Sequence, residues 1–252
     1  MVELAPQILR FDSLPSTNLE AARRAVDGAP EGLCVVADEQ TAGRGRLQRQ
    51  WISPKGAGLY FSMFLRPRID QSVWPLITLM ASLAVVETLV DACGLQTDIK
   101  WPNDILTNEK KLCGILAETI DTPNGRAVVV GIGINLMSRA LPPELSETAT
   151  SVQSATDAIP DPEVVLQILI TALQRRYEML QSAPGRDELI QDWSARSSYA
   201  NGKRIRLSNG EEAIEGITRG LERDGGLRVE THAGEIRIFR AGDVTALRTL
   251  GT

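Results

Sequence analysis

Apolar residues change period several times along the chain, and each change predicts an element. After Ser16-Thr17-Asn18, residues Leu19, Ala21, Ala22, Ala25 and Val26 recur at helical spacing, which predicts a helix entry with an N-cap. Pro30 and Gly32 close that segment. Leu33–Ala37 is a short apolar run, and Leu59–Leu65 mixes Tyr60, Phe61, Met63 and Phe64, so both predict strands. Trp74–Cys93 is apolar almost all round, which predicts a buried helix ended by Gly94. Its most apolar stretch, Leu76–Val86, contains Thr78 and Ser82 and is by itself too short to span a bilayer. Thr97–Trp101, Ile105–Thr107, Gly114–Thr119 and Ala127–Leu136 predict strands, with a polar turn at Asn108–Lys110. A Pro/Ser/Thr-rich connection over Arg139–Asp161 leads to an amphipathic helix, Pro162–Leu180, and a further helix, Arg186–Ala195.

After Tyr199 the texture changes. Lys203–Leu207, Ala213–Thr218, Leu227–Thr231, Glu235–Arg240 and Val244–Leu247 are short strand candidates. Between them stand Ser208-Asn209-Gly210, Asp224-Gly225-Gly226, Ala233-Gly234 and Ala241-Gly242, a spacing that predicts a small β-barrel. The expected organisation is a larger unit over residues 1–199 and a small barrel over residues 200–252.

Composition narrows the chemistry. The three cysteines, Cys34, Cys93 and Cys113, have no CxxC spacing, which argues against a disulfide framework and for a reducing compartment, hence a cytoplasmic protein. His232 is the single histidine, so histidine-based metal clusters and triads are excluded and no fixed protein metal site is expected. Met1–Asp12 lacks the basic and apolar regions of a signal peptide, and no membrane partner is expected. The net charge of −5 disfavours a general polyanion binder, so no nucleic-acid partner is expected. Within this acidic chain, Gln40–Ile69 contains no Asp or Glu but carries Arg44, Arg46, Arg49, Lys55, Arg66 and Arg68, which points to a local anion site or to a solvated charged loop.

Three constellations carry the candidate chemistry. In Gly43-Arg44-Gly45-Arg46-Leu47-Gln48-Arg49-Gln50-Trp51, the glycines let backbone N–H groups turn toward an anion, and the arginines supply planar forks for phosphate or carboxylate. Trp51 offers a face for a base, or is a buried ring. The segment is neither a Walker loop nor a dinucleotide fingerprint. A flexible surface hairpin is the alternative. In Lys100-Trp101-Pro102-Asn103-Asp104 followed by Lys111-Leu112-Cys113-Gly114, Lys111 opens an apolar strand, either pointing into a pocket or protecting a strand edge. Asp104 is a candidate proton acceptor or a turn cap. In Gly131-Ile132-Gly133-Ile134-Asn135, alternate glycines allow close approach of a backbone or ligand.

With Ser16-Thr17-Asn18, Gln40, Ser53-Pro54-Lys55-Gly56 and Leu59-Tyr60-Phe61-Ser62-Met63, these motifs resemble, in order and spacing over residues 12 to 136, those of biotin–protein ligases, also called biotin–[acetyl-CoA-carboxylase] ligases. Leu47 and Gln48 depart from the pattern, where many members carry a basic residue and a glycine. The resemblance implies an α+β fold: a mixed sheet flanked by helices, as in biotinyl/lipoyl protein ligases, followed by a small Src-homology-3-like β-barrel. It implies that biotin is activated by ATP, with Mg2+ carried on the nucleotide, as biotinyl-5′-AMP. The acyl group then passes to a lysine of a biotin carboxyl carrier protein. By the same resemblance, Arg46, Lys111 and Asp104 are catalytic. Biotin falls to Ser16, Thr17, Asn18, Gln40, Gly43, Arg44, Gly45, Arg46, Lys111 and Gly114. ATP and the adenylate fall to Arg46, Arg49, Trp51, Asn103 and Asn135. The arginine loop is expected to close on ligand. Lipoate ligases and octanoyl transferases lack the loop leading to Trp51. Ligase–repressors carry an N-terminal helix-turn-helix for which Met1–Pro15 leaves no room, so no operator-binding role is expected. A homodimer through the catalytic sheet is left open.

Overall fold

The computed structural model describes residues 4–209 and 212–247. A seven-stranded sheet forms the larger part. Its strands are β1 (Gln7–Phe11), β2 (Leu33–Ala37), β3 (Gly58–Leu65), β4 (Asp98–Lys100), β5 (Asp104–Thr107), β6 (Lys110–Thr122) and β7 (Gly125–Asn135). They lie in the order β1-β2-β3-β7-β6-β5-β4, with β1 and β2 parallel and the remaining neighbours antiparallel.

Alternation along β7 sets the two faces. Val128, Val130, Ile132 and Ile134 face the main core, which contains α2 (Leu76–Cys93), α4 (Pro162–Leu180) and α5 (Ala183–Ala195). Ala127 and Val129 face α1 (Thr17–Val26), whose Ala21 and Ala25 pack against Leu33, Val35 and Phe64. Small residues on both sides let α1 lie close to the sheet. The same alternation puts Gly131, Gly133 and Asn135 on the α1 face, beyond the end of the helix. That uncovered part of the sheet carries the site.

Helix α2 continues past the apolar run that marks it in the sequence. Over 18 residues its mean hydropathy is 1.8, so by length and composition it could cross a bilayer, and 67% of it is buried inside the molecule. Gly94 ends it in the left-handed conformation (φ 61°). The Pro/Ser/Thr-rich connection contains a 3-10 turn at Pro143–Leu145 and a short α-helix, α3 (Val152–Thr156).

Five further strands follow: β8 (Asn201–Asn209), β9 (Glu212–Leu221), β10 (Leu227–Thr231), β11 (Ile236–Phe239) and β12 (Asp243–Ala246). They form an antiparallel sheet in the order β11-β10-β9-β8-β12, consistent with a small Src-homology-3-like domain. Gly210 of the predicted Ser208-Asn209-Gly210 turn lies outside the described residues. Ile205, Leu207, Leu227, Val229, Phe239 and Val244 belong to the same core as α2, so the two sheets share one apolar interior. Trp101 adds a polar tie: its indole N–H donates to Gly225 O at 3.1 Å.

Candidate active site

A cavity of about 140 Å³ lies on the α1 face of the large sheet. One end is built by the start of α1. Ser16 precedes the helix in extended conformation but makes no side-chain cap. Gln40 supplies the missing acceptor instead: its Oε1 takes Thr17 N at 2.9 Å and Thr17 Oγ1 at 3.1 Å. Gln40 Nε2 donates to Ser53 Oγ at 2.8 Å. Asn18 donates to Leu116 O and to Glu118 Oε2 (2.8 Å), and accepts from Ser62 Oγ (2.6 Å). Glu118 Oε1 takes Arg44 Nη2 at 2.8 Å. Hydrogen bonds thus run from Ser53 through Gln40, Thr17, Ser62, Asn18 and Glu118 to the arginine loop. Ser53, Ser62 and Glu118 were not predicted as site residues, because the sequence does not reveal which polar strand positions meet α1.

The glycines explain how these groups fit. A Cβ on Gly131 would stand 2.1 Å from Asn18 Oδ1, and one on Gly133 would stand 2.5 Å from the Trp51 indole. Gly114 pairs with Gly133 across β6 and β7, and its Cβ would meet the same indole at 3.0 Å. The close approach expected at the alternate glycines is therefore made by two protein side chains. Trp51 is half-buried and lines the cavity, and its Nε1 is buried without a hydrogen-bond partner among the described residues.

The arginine segment is a hairpin. Arg44 bridges Gln50, and Gly43 O accepts from Trp51 N at 2.9 Å. Gly43 is needed because a Cβ there would reach Trp51 O at 2.3 Å. The expected turning of glycine N–H groups toward an anion is not seen at Gly45, which is extended (φ −119°, ψ −178°) and donates to Arg49 O at 2.7 Å. The tip is formed by Leu47 and Gln48, both left-handed at φ 53° and 60°. These are the two positions that depart from the family pattern, and a β-substituted residue is disfavoured in that conformation.

The hairpin holds the cationic end. Arg46 Nη1 donates to Asn103 Oδ1 (3.0 Å) and to Gly242 O (3.2 Å), and Arg49 pairs with Asp243. Burial pushes the Arg46 guanidinium pKa down, opposed by Asp243 and Asp104. Asn103 also donates to Ile115 O at 2.8 Å, so its Oδ1 is fixed toward Arg46. Lys111 Nζ lies 2.7 Å from Asp104 Oδ1 and 5.4 Å from the centre of the Trp51 ring, so it points inward rather than guarding a strand edge. Its backbone meanwhile pairs with residues 148–150. The β5–β6 hairpin supports this placement, turning at Asn108 and Glu109, both left-handed.

One cavity is thus lined by Ser16, Thr17, Asn18, Gln40, Arg44, Gly45, Arg46, Arg49, Trp51, Asn103, Asp104, Lys111 and Gly114. Gly43 does not line it and instead lines a separate cavity with the rest of the hairpin, Leu116 and Glu118. Asn135 lines a second, wider cavity that shares Arg49, Trp51, Asp104 and Lys111 with the first, and its Nδ2 donates to Thr150 O at 3.1 Å. Leu141, Leu145, Thr148 and Ala149 on that wall were not predicted.

Residues 9–135 match the biotin/lipoate A/B protein ligase family, and residues 201–245 match the biotin protein ligase C terminal domain. The chain belongs to the biotin/lipoate A/B protein ligase family. Within that family, it is 39% identical over 245 residues to the bifunctional ligase/repressor BirA of Bacillus subtilis (strain 168), covering 94% of this chain and 74% of that protein. It is 33% identical over 239 residues to a biotin–[acetyl-CoA-carboxylase] ligase of Mycobacterium tuberculosis, covering 92% and 86%. The structure of the Aquifex aeolicus biotin protein ligase in complex with biotin and ATP superimposes with a TM-score of 0.84 at 29% identity, covering 96% of this chain and 99% of that one.

Proposed function

We propose that this family member joins biotin to ATP as biotinyl-5′-AMP and passes the acyl group to one lysine of a biotin carboxyl carrier protein. The observation that carries the reading is a single cavity with a neutral hydrogen-bonding end, a cationic end and an indole N–H that has no hydrogen-bond partner among the described residues. A ureido ring, with one carbonyl and two N–H groups, suits the Thr17–Gln40–Ser62–Asn18 network. The biotin tail then runs from this network past Trp51 toward Lys111, with the Arg44–Gly45 arm alongside.

In the first step a carboxylate approaches a polyphosphate. Both are anions, so the barrier is mainly electrostatic. Arg46 and Lys111 face the meeting point and stabilise charge on the α-phosphate and the carboxyl oxygen, and Mg2+ arrives with ATP. Arg46 is held in place by Asn103 and needs little reorganisation. The nucleoside occupies the second cavity, between Trp51 and the Asn135 wall, with Arg49 at its phosphate end. In the second step the carrier amine attacks the acyl carbon and AMP leaves. Asp104, beside Lys111, orients the amine or accepts its proton.

Residues 1–199 carry the catalytic unit in this reading, and residues 200–252 help to dock nucleotide and carrier. The proposal concerns the ligase activity alone, and the cytoplasm is its setting. Incubating the full chain with biotin, MgATP and a carrier fragment tests it by mass. The expected result is one biotinyl addition on one lysine, dependent on ATP. Absence of any addition, or addition without ATP, overturns it.

A further inference from the structure

Glu118 interrupts an apolar row. Strand β6 alternates, so Leu116, Glu118 and Ile120 share the α1 face, and Glu118 stands opposite Val129 of β7, a core residue of that face. It does not line the main cavity but the adjoining one, with the hairpin and Leu116. Its two oxygens nevertheless serve two different parts of the site. Oε2 accepts from Asn18 Nδ2 and Oε1 from Arg44 Nη2, each at 2.8 Å. The arginines of the hairpin reach three separate elements: Arg44 goes to β6, Arg46 to Asn103 just before β5, and Arg49 to Asp243 on β12. Of these anchors, Glu118 also holds a residue of α1. The reaction steps above use neither its carboxylate nor the Arg44 side chain.

Resting on the ligase reading, we infer that Glu118 is a positioning residue that couples filling of the ureido site to closure of the hairpin. The first argument concerns polarity. The Asn18 amide has two N–H donors, which Leu116 O and Glu118 take, and its Oδ1 accepts from Ser62 Oγ at 2.6 Å. A carboxylate only accepts, so Glu118 keeps the N–H edge of Asn18 toward β6 and its carbonyl toward Ser62. That choice sets which donors and acceptors are left for a ureido ring. The second argument concerns order. The Arg44 and Glu118 side chains are 45% and 27% exposed, and an ion pair of that kind is weak while both partners must be ordered to make it. A bound ring immobilises Asn18, and Asn18 immobilises Glu118. Arg44 then meets an acceptor already in place, and the hairpin gains a fixed strut. By reciprocity, the closed hairpin holds the ring more tightly.

Glutamine is the discriminating replacement. It keeps the size of Glu118 but carries one oxygen, so its amide NH2 must face Asn18 or Arg44, and one of the two contacts becomes donor against donor.

The test uses the full chain and two readouts: biotin affinity by calorimetric titration, and amide hydrogen exchange over residues 43–50 with and without saturating biotin. In wild type, biotin is expected to slow exchange across the hairpin. Glu118→Gln should bind biotin about 10-fold or more weakly, the loss of one charge-assisted contact, and at saturation its hairpin should exchange as fast as in the free chain. Arg44→Met should abolish the protection with a smaller loss of affinity. The double variant should be no less protected than either single one, because both changes cut the same strut. Arg44 is an exposed hairpin residue, so its variant decides the question even if Glu118→Gln folds poorly. Wild-type protection in either single variant at saturating biotin overturns the coupling, since a residue that only shaped the pocket would change affinity alone. Wild-type biotin affinity in Glu118→Gln overturns it as well. If wild type binds no biotin, the ligase reading fails first. If it binds biotin and its hairpin gains no protection, that reading stands and this inference falls.

Discussion

The two ends of the cavity are built differently. At the α1 end the polar groups already satisfy one another: Gln40, Thr17, Ser62, Asn18 and Glu118 are linked by hydrogen bonds of 2.6–3.1 Å. Thr17, Asn18 and Ser62 are buried, and two glycines make the space. At the loop end the charged groups are partnered by carboxylates that a ligand anion can replace: Arg44 by Glu118, Arg49 by Asp243, and Lys111 by Asp104. A preformed network selects a neutral ring because its geometry is fixed before binding. An ion-paired hairpin can order itself without ligand and still release its cations to phosphate. Changes at the first end should therefore act on biotin affinity, and changes at the second on adenylation and retention.

The largest effect is expected from Gly131→Ala. The added methyl displaces Asn18, breaking its hydrogen bonds with Ser62, Leu116 O and Glu118, at about 1–3 kcal/mol for each buried group left unsatisfied. Biotin affinity should fall on the order of 100-fold in calorimetric titration, with a far-ultraviolet spectrum like wild type. Unchanged affinity would mean that the network is not the biotin end. Next is Lys111→Ala. Removing a charge-assisted contact costs about 1.5–3 kcal/mol, or roughly 10–150-fold in the rate of adenylate formation, with a smaller change in biotin affinity. Wild-type rates would reduce Lys111 to a partner of Asp104.

Much of this contrast is legible in the sequence. The GRGR hairpin, the KWPND and KLCG segments and the alternate glycines meet at one cavity, and each has local chemistry that spacing reveals. The five strands of the small sheet also follow from glycine turns. Strand β1 was not predicted: at five residues, pairing only with β2 at the sheet edge, it has too little alternation to register. Ser62 and Glu118 were missed because their partner Asn18 lies far away in sequence. The Ser16-Thr17-Asn18 entry does start the helix, with Ser16 at the cap position, but Gln40, distant in sequence, supplies the hydrogen-bond acceptor. Asn135 sits in the wider cavity because its side chain faces the segment around Thr150.

A third change sharpens the same contrast. Trp51→Ala should weaken nucleotide by about 1–3 kcal/mol through the lost aromatic face, and biotin alone by less. Equal loss of both would make Trp51 a structural ring filling the space over Gly114 and Gly133. The smallest effect is expected at the hairpin tip. Gln48→Gly relieves one left-handed residue and should stabilise the closed hairpin by about 0.5–1 kcal/mol, slowing adenylate release by roughly 2–5-fold in a stopped-flow chase. Faster release would show that the strained tip does not oppose closure.

The most direct test of the difference between the two ends is Arg46→Gly. Arg46 links the hairpin to Asn103 and to Gly242 O, and in the proposed reaction it also contacts the phosphate. Its loss should slow adenylate formation and loosen the closed hairpin together. Activated biotin would then escape and acylate lysines at random. The measurement supplies biotin, MgATP and an irrelevant protein such as albumin, then probes for attached biotin while quantifying adenylate. Less adenylate per unit time than wild type, but more label on the albumin, is the predicted result. An Arg46→Gly chain that forms measurable adenylate and labels albumin no more than wild type would contradict the retaining role of the hairpin.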